Sequence, residues 1–171
     1  VYRAHALVQD TISQIAALFG GPTALPPTAS LVGLIVDDLA AQIAVSTTTI
    51  DLGNDSAIAR VIGNVEVQTG TALANDLVDG AASVIAATNE QISAIPVSTD
   101  LGYFEEVSRV KIVSQGTVTN EINLAAAGLV TVNALVTSNT GDALEQQVDA
   151  ASLPSILSVP DDMVAEATGP A

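Results

Sequence analysis

Apolar side chains recur every three or four residues along most of this chain. Val1, Ala4, Val8, Ile12, Ile15 and Phe19 form the first stripe, the spacing of one face of an α-helix. Gly20-Gly21-Pro22 stops it, and residues 20–30, with their run of prolines and glycines, form the clearest loop of the chain. A second helix starts with Thr28 or Ser30 as its cap and carries Leu31, Ile35, Leu39, Ile43, Ser46 and Ile50 on one stripe. The run Ser46-Thr47-Thr48-Thr49 opposes it, because β-branched side chains lose rotamer freedom in a helix. Asp51-Leu52-Gly53-Asn54-Asp55-Ser56 then reads as a helix-ending glycine followed by a fresh N-cap.

The longest stripe runs through Ile58, Ile62, Val65, Thr69, Leu73, Leu77, Gly80, Val84, Ala87 and Ile92, and Pro96 ends it. Unbroken, it would make a rod on the order of 60 Å. Gly63, Gly70 and Gly80 interrupt it, and glycine inside a helix costs about 1 kcal/mol relative to alanine. Such glycines mark either close helix–helix approach or a break. A further helix opens at Asp100, with Glu105 and Glu106 in its first turn, and its stripe continues through Val107, Val110, Ser114, Val118, Ile122, Ala125, Leu129, Val132 and Val136. Here a strand pattern competes, because Val118, Asn120, Ile122 and Leu124 alternate, as do Val130, Val132, Ala134 and Val136. A last short helix fits Asp142 to Leu153, closed by Pro154, and residues 154–171 read as an extended tail.

These elements predict an all-α single domain over residues 1–171, an up-and-down bundle of four to five helices with two of them long. The alternative is a mixed or mainly β domain of the kind that builds filament subunits. A weak internal echo relates Val45-Ser46-Thr47 and Asp51-Leu52-Gly53 to Val97-Ser98-Thr99-Asp100-Leu101-Gly102, which a duplicated helical unit would explain.

Composition narrows the function. The 171 residues hold 4 Lys and Arg against 19 Asp and Glu, a formal net charge of −15. Such a chain cannot build the basic stripe that nucleic-acid binding needs, and anionic membrane surfaces repel it. No apolar run reaches the length of a membrane span. The absence of Cys removes disulfides, thiolate ligands and thiol nucleophiles together. With no Trp and only Tyr2, Phe19, Tyr103 and Phe104 as aromatics, the core is assembled from Ala, Val, Ile and Leu. The chain begins at Val1 rather than Met, which suits a processed, secreted product. Asn54-Asp55-Ser56 is a sequon, so Asn54 is the candidate glycosylation site.

No catalytic, cofactor or metal site is legible. His5 is the only imidazole, with no second His or Cys to join it, and it reads as a surface or packing residue. The pairs Asp37-Asp38, Glu105-Glu106 and Asp161-Asp162 place adjacent acids about 100° apart on a helix, so they do not converge as a catalytic pair would. Asp51, Asn54 and Asp55 gather three oxygen ligands around Gly53, but without the spacing of an EF-hand loop, and capping accounts for them. No phosphate-binding glycine motif accompanies the lone Lys111.

What remains is the apolar stripes. Most of their positions are expected in an ordinary core, while part of a stripe is left for self-association or for enclosing an apolar ligand between helices. The expected function is therefore that of a secreted, extracellular, non-enzymatic structural protein that associates with itself into a fibre, filament, coat or matrix. The alternative is a secreted carrier or surface-active protein that binds a lipid or an apolar surface.

Overall fold

The computed structural model describes residues 2–20, 28–45 and 50–153. The central part of the Pro/Gly-rich loop (residues 21–27), the Ser46–Thr49 run and the 154–171 tail, including the Asp161-Asp162 pair, lie outside the described residues.

The fold is an all-α bundle, and among the described residues there is no strand. Its rods are α1 (Tyr2–Phe19), α2 (Thr28–Val45), α3 (Asp55–Thr69), α4 (Asn75–Ala94) and a composite of α5 (Leu101–Val113), a π-helical turn (Ser114–Val118) and α6 (Thr119–Ala126). Two short helices follow, α7 (Val132–Ser138) and α8 (Gly141–Ala150). The five rods match the predicted bundle. Of the alternating positions that suggested strands, Val118 ends the π-helical turn, Ile122 and Leu124 are in α6, Val132, Ala134 and Val136 are in α7, and Val130 is in the connection between those two helices.

The long 57–95 stripe is two helices rather than one rod. Gly70 caps α3 in the left-handed region, at φ 67°, and its N–H donates to the Glu66 carbonyl. Only glycine adopts that conformation without strain, so the chain turns here and α4 packs back along α3. Gly80 plays the other role. A Cβ built there would run into the Val132 side chain, so the missing methyl lets α7 lie against α4. The 105–136 stripe also divides, after Ala126, and Leu129 in the intervening turn is exposed.

The N-caps form where Asn and Asp precede helices. Asn54 Oδ1 accepts from the Ala57 N–H at 3.1 Å, and Asp100 Oδ1 accepts from the Tyr103 N–H at 3.0 Å. Ser98 donates to the other Asp100 oxygen, and these bonds hold that carboxyl below its usual range. The Asp-Leu-Gly echo therefore does not extend to conformation. Its second copy caps α5 directly, whereas its first forms a turn ahead of the Asn54 cap.

Most of the core is one cluster of Ile, Leu, Val and Ala contributed by all eight helices and the π-helical turn, with Phe19 as its single aromatic. Tyr2, Tyr103 and Phe104 meet edge to face between α1 and α5, with ring centroids 5.1 to 6.2 Å apart. All the aromatic bulk outside Phe19 therefore lies on one side of the first turns of α1.

Candidate functional site

The predicted α1 stripe is real, but only its later part is core. Ile15, Leu18 and Phe19 are buried together with Leu31 and Ile35 of α2. Toward the start of α1 and the end of α2 the same stripes stay open. On these stripes Val8 is 39% exposed and Ile43 63%, and Val36, beside the second stripe, is 43% exposed. Between them lies a cavity of about 930 Å³, partly open to solvent, lined by Arg3, Ala4, Leu7, Val8 and Ile12 of α1 and by Val36, Leu39, Ala40 and Ile43 of α2. Ile50, Asp51, Leu52 and Gly53 form a third wall, and Ser93 of α4 completes it. The walls are mostly aliphatic. Among the described residues, Arg3, Asp51 and Ser93 supply the polar side chains.

Small side chains are part of the cavity wall at Ala4 and Ala40, and the nearby aromatic rings are turned toward α5. Such a volume falls within the range of about 300–1,000 Å³ seen for small-molecule sites, and an aliphatic lining with few polar groups is their usual character.

A buried polar seam holds this wall in place. Asn89 of α4 is fully buried, and its Nδ2 donates to Thr11 Oγ1 at 2.9 Å and to the Leu52 carbonyl at 2.8 Å. One side chain thus ties the 50–53 wall of the cavity to both α1 and α4. One turn further along α1, Gln14 Nε2 donates to Thr88 Oγ1 at 3.1 Å, and Arg3 Nη1 donates to the Ser93 carbonyl at 3.3 Å nearer the helix start. These pairs show that α1 and α4 run antiparallel in a fixed register. On the opposite wall, Asp38 accepts from Gln42 at 2.6 Å and from Asn64 at 2.8 Å, joining α2 to α3.

Asp10 sits on α1 away from the cavity and is fully buried. Its oxygens accept from Ser114 Oγ at 2.7 Å and from Gln115 Nε2 at 2.8 Å. Adjacent residues of a regular α-helix diverge by about 100°, and the π-helical turn that begins at Ser114 brings both onto one carboxylate. Burial pushes the Asp10 carboxyl above its usual value, while the two hydrogen bonds and the Lys111 charge pull it partway back.

Of the charged and polar residues singled out from sequence, Asp51 is on the cavity lining and the other described ones are elsewhere. His5 is exposed on α1, outside the cavity lining. Glu105 and Glu106 are solvated, and of the Asp37-Asp38 pair only Asp38 turns inward. Asp51, Asn54 and Asp55 each spend an oxygen on a backbone N–H, those of Gly53, Ala57 and Ser56 respectively. Among the described residues no group of three or more His, Cys, Asp or Glu comes together as a metal site. Asn54, the candidate glycosylation site, is exposed at the start of α3. No described helix is long and apolar enough to cross a membrane.

Sequence reasoning missed Arg3, Asp10 and Asn89. The signal for Asp10 was available: Asp10, Thr11 and Gln14 are polar positions that three-residue and four-residue spacing places on a common side of α1. A polar set in that register reads as the solvated face of a helix, whereas here it is buried. Comparison with known proteins finds no family, curated protein or solved structure that matches this chain.

Proposed function

We propose that the protein is a non-enzymatic, extracellular binder of a small apolar or amphiphilic molecule, held between the N-terminal half of α1 and the C-terminal half of α2. The cavity carries this reading: it lies where two otherwise regular apolar stripes face each other without meeting. Transfer of an aliphatic chain into such a lining gains about 0.8 kcal/mol per buried CH₂. The polar groups close to the cavity are engaged in capping and in helix register, which suits binding rather than turnover. Titration with decan-1-ol, followed by calorimetry, tests the reading. The intact protein should bind it saturably, and Val8→Asp should abolish binding, because it places a charge on the cavity wall at an already exposed position. Failure of the unmodified protein to bind any aliphatic ligand would end the proposal.

A second reading, assembly of the protein with itself into a fibre, filament, coat or matrix, draws support from apolar side chains exposed elsewhere. Val67, Val97, Leu101 and Leu129 are 66 to 84% exposed. They are distributed over α3, the α4–α5 connection, the start of α5 and the turn after α6, and exposed apolar residues scattered singly are ordinary on protein surfaces. Concentration-dependent sedimentation in the absence of ligand would favour assembly over the carrier.

A further inference from the structure

We infer that the ligand is an amphiphile with an anionic head, a carboxylate, and that Arg3 reads that head at the end of the cavity nearest the start of α1. This inference rests on the carrier reading and adds the ligand's class and orientation. Arg3 is the one cationic side chain on the lining. Its Nη1 donates to the Ser93 main-chain carbonyl, an uncharged partner, and a guanidinium has five N–H donors. The fork can therefore hold α4 with one donor and still offer others to an anion. Planar carboxylates match this geometry in pairs of parallel hydrogen bonds.

The rest of the lining sets the orientation. From Arg3 to Ile12 the helix runs about 14 Å at the α-helical rise, and the intervening wall is Ala4, Leu7 and Val8. The cation thus stands at one end of the slot and the α1 wall beyond it is aliphatic, as a single-chain amphiphile requires. Asp51, the opposing charge on the lining, already accepts the Gly53 N–H at 3.0 Å in its own turn. All four cations of the chain donate to uncharged oxygens: Arg3 to Ser93, Arg60 to Gln42, Arg109 to Ala151 and Lys111 to Gln9. Of these, only Arg3 faces the cavity.

The test compares decanoate with decan-1-ol, which share an alkyl chain and differ in the head, at mildly alkaline pH and below micelle formation. Arg3→Gln should weaken decanoate binding about tenfold, the size expected for a charge-assisted hydrogen bond, and leave decan-1-ol binding within about twofold. Arg3→Lys, which keeps the charge but loses the fork, should fall between. Unchanged melting temperatures in both variants show that the register of α1 on α4 survives. Equal loss of both ligands, or undiminished decanoate binding in Arg3→Gln, overturns the assignment while leaving the carrier reading intact. If neither ligand binds the unmodified protein, the carrier reading fails and this inference fails with it.

Discussion

The α1–α2 pair is closed at one end and open at the other, although both ends are apolar. At the closed end Ile15, Leu18 and Phe19 join Leu31 and Ile35 in a cluster that excludes water. At the open end Val8, Val36 and Ile43 line a cavity with Ala4 and Ala40. The difference is volume rather than polarity. A chain with four aromatic residues cannot fill every gap, and three of its rings are committed to the α1–α5 contact. The comparison shows how a hydrophobic stripe becomes a binding site: its periodicity builds the helix, and its shortage of bulk leaves the space.

The largest effect is expected from emptying the closed end. Phe19→Ala should cost about 3–5 kcal/mol, because it removes a fully packed ring and leaves a cavity behind. Ile43→Ala at the open end, where the side chain is 63% exposed, should stay within about 0.5 kcal/mol. Urea denaturation of the two variants measures the contrast directly, and similar losses would show that the two ends are packed alike.

Next comes the wall between cavity and bundle. Asn89→Ala should cost about 1–3 kcal/mol by leaving Thr11 and the Leu52 carbonyl without their shared donor. It should also weaken binding of an aliphatic ligand, because the 50–53 wall is no longer tied to α4. Thermal denaturation together with decan-1-ol titration separates the two consequences.

The smallest effect concerns Asp10, whose setting lies away from the cavity. The native carboxyl binds its proton more tightly than its ordinary value of 3.8, so the folded state holds more protons than the unfolded state above that pH. Stability from this group is therefore greatest below the ordinary value and is lost as pH rises through the raised native value. Measured against Asp10→Asn, the unmodified protein should lose stability across that window, while decan-1-ol affinity stays the same in both. A relative gain in stability with rising pH would show that the hydrogen bonds from Ser114 and Gln115 outweigh burial.

Much of the helical framework was legible in the chain. The stripes through Ile58, Ile62 and Val65 and through Val107, Val110, Ser114, Val118 and Ile122 are buried as their spacing implies. Gly70 was visible as one of three interruptions, but its role as a turn could not be told from that of Gly80 as a contact point. Both are glycines within a helical pattern. The difference lies in Val132, which approaches Gly80 from a helix some fifty residues further along the chain and has no counterpart within 4 Å of Gly70. The cavity was legible only as a class of outcome, a stripe with part left over. Which part was left over depended on where α2 crosses α1.

The sequence by itself determined that this protein is helical, acidic, poor in the residues of catalysis and short of bulky side chains. Those properties follow from local spacing, charge and side-chain volume, which each segment carries with it. Only the tertiary structure decided that Asp10, Thr11, Gln14 and Asn89 are interior, and that Ala4, Val8, Val36 and Ile43 face a shared space. Burial is a property of what another element brings to a surface, and no helix carries that information alone.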